Sequence, residues 1–209
     1  MEKFDKDKLR EYKKKRDFKK TTEPKGGKKK SSDKPRFVIQ KHDATNLHYD
    51  LRIEIDGVLK SWAVPKGPST DPKDKRMAIL TEDHPLEYAD FEGIIPEEEY
   101  GAGPVIVWDG GTFENIRSEK EGDGLSMQKS FDDGKIEVWL NGKKLKGGYV
   151  LIRTGKKDEN QWLLKKMKDD EADARRNPVS SEPKSILSDK TIEEMEKEME
   201  EEEKDQEQE

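Results

Sequence analysis

Two of the three histidines in this chain, His42 and His48, stand six positions apart, and Asp50 follows the second by two. A His-x5-His-x-Asp spacing gathers two imidazoles and a carboxylate, a donor set that with open positions suits Mn, Fe(II), Zn or Co. Arg52 lies two residues further on, a fixed cation beside that set. The surrounding stretch, RFVIQKHDATNLHYDLRIEID from Arg36 to Asp56, ends in an alternating pattern. Its even positions are His48, Asp50, Arg52, Glu54 and Asp56; its odd ones are Tyr49, Leu51, Ile53 and Ile55. Successive side chains on a strand point to opposite faces, so the apolar set packs while His, Asp and Arg are presented together. The expectation is a metal site with an anion clamp next to it.

The third histidine extends this site. In Thr81-Glu82-Asp83-His84-Pro85-Leu86-Glu87-Tyr88, His84 falls just past the apolar run Met77 to Leu80, and Pro85 fixes a turn after it. Such a histidine is often an ordinary loop residue. Its functional reading is a second wall in which His84 and Tyr88 contact a phosphate or donate protons. Between the two histidine segments lie Trp62-Ala63-Val64-Pro65-Lys66-Gly67-Pro68 and Arg76. A lysine in a Pro-Lys-Gly turn has little packing reason, so Arg52, Lys66 and Arg76 are expected to neutralise one phosphate together. Phosphoester hydrolysis needs that gathering: a divalent ion and fixed cations stabilise charge on the non-bridging oxygens, and the metal also orients or generates the attacking water.

The elements that must position these groups are short. Of 209 residues, 29% are hydrophobic and 43% charged, and the apolar ones concentrate between about 37 and 165. That predicts three parts: a flexible basic arm over 1–35, a compact domain over 36–168, and a polar to acidic tail over 169–209. Strands are expected at 36–41, 48–55, 58–63, 76–81, 104–108, 111–116, 134–140, 146–153 and 160–166. Hairpin turns are expected at Asp56-Gly57, at Gly110-Gly111 after Asp109 and at Asn141-Gly142, with a further turn at Asp133-Gly134. Many short strands at close spacing predict a mainly β chain, a small closed antiparallel barrel with a few flanking helices and a polar site in its mouth. Phe4, Leu9, Tyr12 and Phe18 suggest a short amphipathic helix, and Thr21 to Ser32 a flexible loop. Ile192, Met195 and Met199 form too thin a stripe to hold a helix alone, so the tail is expected to be disordered.

Charge is distributed unevenly. Residues 1–36 carry sixteen Lys and Arg against seven Asp and Glu, a local +9, and residues 189–209 carry three against twelve, a local −9. A basic arm leading into a metal-site domain fits a polyanionic substrate such as nucleic acid. Cysteine is absent, so any transition metal must use His and carboxylate. No apolar run approaches the ~20 residues of a membrane span and no signal-peptide pattern opens the chain, which predicts a cytoplasmic protein. Nothing requires more than a monomer.

The blocks FVIQKH, HYDLR, W-A-V-P-K-G-P, TEDHPLEY and F-E-G-x-I-P-x-x-x-Y-G-A-G, with LREYKKKRDFKKTTEP before them, resemble the 3′-phosphoesterase domain of bacterial ligase D and its stand-alone relatives. The resemblance runs from about Leu9 to about Lys166. It implies a metal-dependent enzyme, typically using manganese with cobalt or zinc as alternatives, that acts on DNA or RNA 3′ ends. A terminal ribonucleotide or 3′-phosphate on a primer-template would be trimmed to a 3′-hydroxyl. It also implies His42, His48 and Asp50 as metal ligands and Arg52, His84 and Tyr88 as phosphate contacts. Lys66 and Arg76 become supporting cations, and Gln40 and Glu82 lie behind the ligands. Arg16, Asp17 and Glu23 would serve the phosphomonoesterase step or place the strand end, which makes the basic arm part of the loaded site. Glu54-Ile55-Asp56-Gly57 has Glu where the ligase pattern K-x-D-G needs Lys, and no polymerase segment fits, so a separate ligase, polymerase or end-binding protein would complete repair.

Two other readings compete. His48-x-Asp50 with His84 resembles the facial triad of non-haem Fe(II) oxygenases, with Arg52 or Arg76 holding a carboxylate co-substrate. A non-catalytic DNA-end-binding module would explain the basic arm, but no motif residue is lost.

Overall fold

The computed structural model describes residues 7–27, 34–120, 124–155 and 159–206. Nine strands carry the architecture: β1 Arg36–Asp43, β2 Leu47–Ile55, β3 Val58–Val64, β4 Arg76–Leu80, β5 Gly93–Ile95, β6 Gly103–Asn115, β7 Lys135–Gly142, β8 Lys146–Arg153 and β9 Gln161–Lys166. Every pairing is antiparallel, in the order β1-β2-β3-β4-β9-β8-β7-β6, and β6 pairs back onto β1. Eight strands therefore close a barrel, and β5 adds a short ninth strand along the start of β6. Closure leaves no long unpaired edge, as the strand pattern predicted. Short helices flank the barrel: α1 Arg10–Lys14, α2 Ile116–Lys120, α3 Met127–Asp132, α4 Pro178–Ser181 and the longer α5 Ile192–Gln206, with a 3₁₀ turn over Leu86–Asp90.

The β2–β3 hairpin turns at Asp56-Gly57, both with positive φ (50° and 81°), the conformation a two-residue turn needs to match strand twist. Two other turn expectations are corrected. Residues 104–108 and 111–116 are one strand, β6, and Gly110-Gly111 lies within it. A Cβ at Gly111 would stand 2.1 Å from the Asn141 carbonyl oxygen, so this glycine admits a neighbouring backbone instead of reversing the chain. Asn141-Gly142 closes β7, and the reversal falls just beyond it. There the buried Asp109 carboxylate accepts the N–H groups of Lys144 (2.9 Å) and Leu145 (2.8 Å). Asp133-Gly134 is a turn as expected, with Gly134 at φ 74° between α3 and β7.

The barrel interior is filled by large apolar side chains from all round the wall, among them Phe37, Trp62, Trp108, Phe113, Trp162 and Leu164. The odd residues of β2, Tyr49 to Ile55, point into this core. A second apolar cluster lies on the opposite face of β1 and β6: Val38, Val105 and Val107 pack against Tyr12, Leu86, Tyr88 and Phe91. Strands β1 and β2 are thus buried on both faces, which explains their near-continuous burial. With the interior packed, the polar even residues face outwards, and the expected site in the barrel mouth lies instead on the outer wall.

The described part of the N-terminal segment is packed, not loose. Tyr12 is fully buried, its hydroxyl donates to the Pro24 carbonyl (2.7 Å), and Thr21 and Glu23 are buried with it. The charge run conceals apolar anchors in Leu9, Tyr12 and Phe18. Phe4 and residues 28–33 lie outside the described residues. The acidic end also forms a helix, α5, where disorder was expected. Ile192 and Met195 pack on Ile106, and a reciprocal cap starts the helix: Glu194 N–H donates to Thr191 Oγ1 (3.2 Å) and Thr191 N–H to the Glu194 carboxylate (2.8 Å).

Candidate active site

The antiparallel register of β1 and β2 places His42 directly opposite His48, and Gln40 opposite Asp50. A connection of three residues between the strands turns a spacing of six into a cross-strand pair, with ring centroids 4.8 Å apart. Asp50 shares their face, and one ligand atom from each of His42, His48 and Asp50 lies within 4.8 Å of the others. His42 Nε2 is 2.7 Å from the Gly101 carbonyl oxygen, and His48 Nδ1 is 2.9 Å from that of Asn46. A carbonyl only accepts, so each of these nitrogens carries the proton of the neutral ring, and the other nitrogen is then the one with the lone pair. Those nitrogens, His42 Nδ1 and His48 Nε2, each stand 3.5 Å from an Asp50 carboxylate oxygen. Two lone pairs and a carboxylate converging, with the distal ring nitrogens tied to backbone, is the arrangement a divalent cation requires. The residues fit a metal.

Burial alone would raise the Asp50 pKa, but Arg52 and the two imidazoles outweigh it and hold the carboxyl well below its usual range. Burial pulls His48 down, and hydrogen bonding and attraction to Asp50 prevail, so its pKa is raised. A divalent cation and a proton would compete for Nε2 of this histidine.

Beside the ligand set lies an anion pocket. Arg52 is buried, with Nε donating to Gln40 Oε1 (2.7 Å), one terminal nitrogen donating to Asp50 (3.1 Å) and the other 3.0 Å from His84 Nδ1. Gln40 donates to the carbonyls of Tyr88 (3.0 Å) and Phe91 (2.9 Å), which ties Arg52 to the 3₁₀ turn. His84 enters through an isolated bridge to Leu59 on β3, next to Ser61. An arginine faces each of its ring nitrogens, Arg52 at Nδ1 and Arg16 at Nε2 (3.4 Å). Burial and these two guanidiniums depress its pKa well below the ordinary value, so the ring is neutral. Tyr88 donates its hydroxyl to Glu23 (2.8 Å); burial raises its pKa well above the usual range and Glu23 adds to that, against the pull of Arg52. The phenol keeps its proton.

The N-terminal segment completes the wall. Arg16 donates to Glu23 (2.9 Å), to Glu82 (3.2 Å) and to the Tyr12 carbonyl (3.1 Å), and Lys15 donates to Glu82 (3.0 Å). Burial would raise the Glu82 pKa, but hydrogen bonds and these cations lower it. A cavity of about 310 Å³ joins Arg16, Arg52, Glu82, His84 and Tyr88 to the three ligands.

Of the residues expected here, Gln40 and Glu23 sit behind the cavity as partners of Arg52, Arg16 and Tyr88. Asp17 does not line it; its N–H donates to Glu99 (3.0 Å) and its carboxylate accepts from Lys19 N–H (3.0 Å). Lys66 and Arg76 are not brought to the cavity either. Lys66 is exposed in the turn after β3, where Gly67 (φ 68°) packs close to Tyr49 and Val179. Arg76 donates to Asp74 (2.9 Å) at the start of β4, two strands away from Arg52. The spacing of their loops, without pairing information, gave no means of seeing this. Nor does His84 join His48 and Asp50 as the oxygenase-like triad requires; His42 takes that place. Tyr100, Gly101 and Thr45 line the cavity without having been expected.

Residues 40–153 match the family model described as the DNA Ligase D 3′-phosphoesterase domain. The chain belongs to this family. It is 49% identical over 189 residues to the multifunctional non-homologous end joining protein LigD of Pseudomonas aeruginosa, covering 88% of this chain and 22% of that protein. It is 45% identical over 166 residues to the multifunctional non-homologous end joining DNA repair protein LigD of Mycobacterium tuberculosis, covering 78% and 20%. The Mycolicibacterium smegmatis LigD is similar to the same extent, 45% over 166 residues, covering 78% and 21%. The chain thus spans about a fifth of the length of these relatives. Among the described residues no helix is long and apolar enough to cross a membrane.

Proposed function

We propose that this chain is a metal-dependent phosphoesterase that heals nucleic-acid 3′ ends. It would remove a 3′-terminal ribonucleoside by diester cleavage and a 3′-phosphate by monoester cleavage, leaving a 3′-hydroxyl. The observation that carries the reading is the adjacency of two sets: the converging ligand atoms of His42, His48 and Asp50, and the anion pocket of Arg52, His84 and Tyr88. Membership of the phosphoesterase family supports it.

A divalent cation held by His42, His48 and Asp50, manganese by preference with cobalt or zinc compatible, would supply positive charge against the phosphate and promote ionisation of the attacking water. The chain's own groups do the rest. Arg52, fixed by Gln40 and Asp50, is aimed to bind a non-bridging oxygen at no cost of reorganisation. Arg16, clamped by Glu23 and Glu82, offers a second guanidinium from the opposite wall. His84 is neutral, so it acts as a hydrogen-bond partner or a proton acceptor beside the phosphate rather than as a proton donor. Tyr88 keeps its phenolic proton and donates it in a hydrogen bond to Glu23, so it presents a neutral hydroxyl at the pocket and helps fix the carboxylate that clamps Arg16. The substrate partners are DNA or RNA 3′ ends, and a separate ligase or polymerase would act on the product.

The test uses a primer-template whose primer ends in one ribonucleotide, with metal-stripped protein plus manganese, magnesium, zinc or no metal. Successive products bearing a 3′-phosphate and a 3′-hydroxyl, formed only with metal, are expected. Tight end binding without cleavage under any metal would refute the enzyme and leave an end-binding module.

A further inference from the structure

The block Phe91 to Gly103, FEGIIPEEEYGAG, has work for its glycines but none yet for its tyrosine. Gly101, at φ 80°, turns its carbonyl onto His42, and a Cβ at Gly103 would meet the Asp43 carbonyl oxygen at 2.0 Å, so the loop is pressed on the end of β1. Tyr100, between them, is 54% exposed. Of the six large hydrophobic side chains that are exposed among the described residues, it is the one aromatic, and it lines the cavity that holds the metal ligands and Arg52. Leaving such a ring in water forgoes its burial.

The ring's setting is fixed from three sides. Glu99 N–H donates to the Pro96 carbonyl (2.9 Å), Glu99 Oε2 accepts from Asp17 N–H (3.0 Å), and Gly101 holds His42. The Lys15 ammonium stands 4.3 Å from the ring centroid while also binding Glu82. An exposed aromatic face on a rigid support, flanked by a cation and opening on a phosphate pocket, is what a nucleobase stacks on.

We infer that Tyr100 is the stacking platform for the nucleobase at the strand end, so that the site selects nucleotide ends by base plane as well as by phosphate. The inference rests on the phosphoesterase reading above. Every base has a π-face, so the platform is indifferent to sequence and demands only that a base be present. Tyr100 is a positioning residue: it holds the substrate and takes no part in the chemistry.

The test compares strand ends in which the sugars flanking the reacting phosphate carry bases with ends in which they are abasic. On base-bearing ends Tyr100→Ala is expected to raise KM about 5- to 150-fold with little change in kcat, and Tyr100→Phe and Tyr100→Trp to restore it. On abasic ends the wild-type KM is already raised and Tyr100→Ala adds nothing. A fall in kcat with KM unmoved, or equal losses on both ends, overturns the inference, because Tyr100 would then act through Gly101 and His42. If the wild type hydrolyses neither end with any metal, it is the phosphoesterase reading that falls. Fluorescence anisotropy of a 5′-labelled strand then decides for Tyr100 by itself: weaker binding of the base-bearing end by Tyr100→Ala supports the platform, and equal binding overturns it.

Discussion

The neutral state of His84 has a consequence for folding that can be measured without substrate or metal. Its folded pKa lies well below the ordinary 6.5 because burial, Arg52 and Arg16 all disfavour the imidazolium. The unfolded chain takes up a proton below pH 6.5 and the folded chain does not, so this residue contributes stability above that pH that is lost as pH falls towards the folded pKa. Between pH 7.5 and 5.5 the loss from one such histidine is about 1.4 kcal/mol, RT times the logarithm of the extra protonated population of the unfolded state. His84→Asn removes the titration while keeping an amide to bond the Glu82 carbonyl that the ring now faces at 2.9 Å. Urea unfolding followed by tryptophan fluorescence in chelator, at both pH values, gives four free energies. The wild type is expected to lose about 1.4 kcal/mol more than the variant on acidification; the other titrating groups cancel in the comparison. Parallel losses in the two proteins would show that the folded ring protonates normally and would refute the account of the pocket as two guanidiniums around a neutral imidazole.

Removing any one of His42, His48 or Asp50 as alanine should weaken manganese binding by at least about 100-fold in calorimetry, since even partners behind the ligands cost 10- to 100-fold; an unchanged affinity removes that residue from the set. Because metal and proton compete for His48, whose pKa is raised, wild-type affinity should begin to fall above pH 6.5 and then drop by about tenfold per pH unit, and a fall that begins only below about 6.5 would contradict the raised value. Glu23→Gln leaves Arg16 and Tyr88 short of a buried carboxylate and should cost about 3 kcal/mol in urea unfolding, where a loss below about 1 kcal/mol would mean that Glu82 suffices for Arg16. Met195→Ala, on the helix that covers Ile106, should destabilise by about 2 kcal/mol if α5 is docked in solution and by nothing measurable if it is not.

What the sequence made legible was whatever depends on strand period and short spacing. Alternation from His48 to Asp56 correctly put Tyr49, Leu51, Ile53 and Ile55 on one face and His48, Asp50 and Arg52 on the other, and the six-residue separation of His42 and His48 became a cross-strand pair. The closed barrel followed from the number of short strands. What stayed hidden depends on which strands meet. Gly110-Gly111 reads as a turn until the backbone of Asn141 is known to pass beside it, and Arg76 reads as a phosphate cation until β3 is known to separate β4 from β2. The N-terminal segment was harder still, because its lysines outnumber its anchors. A charge run is ordinarily solvated, but Tyr12 reaching Pro24 and Arg16 reaching both Glu23 and Glu82 convert one stretch of it into a wall of the cavity. That wall bears on function, since the arginine it brings faces the same imidazole that Arg52 faces from the barrel. A guanidinium on each side of His84 depresses that imidazole further than either does alone, and only one of the two belongs to the barrel. The barrel alone would therefore hold the three ligands and Arg52 but would leave His84 closer to its ordinary pKa, so the acid–base character of the pocket depends on the packed N-terminal segment.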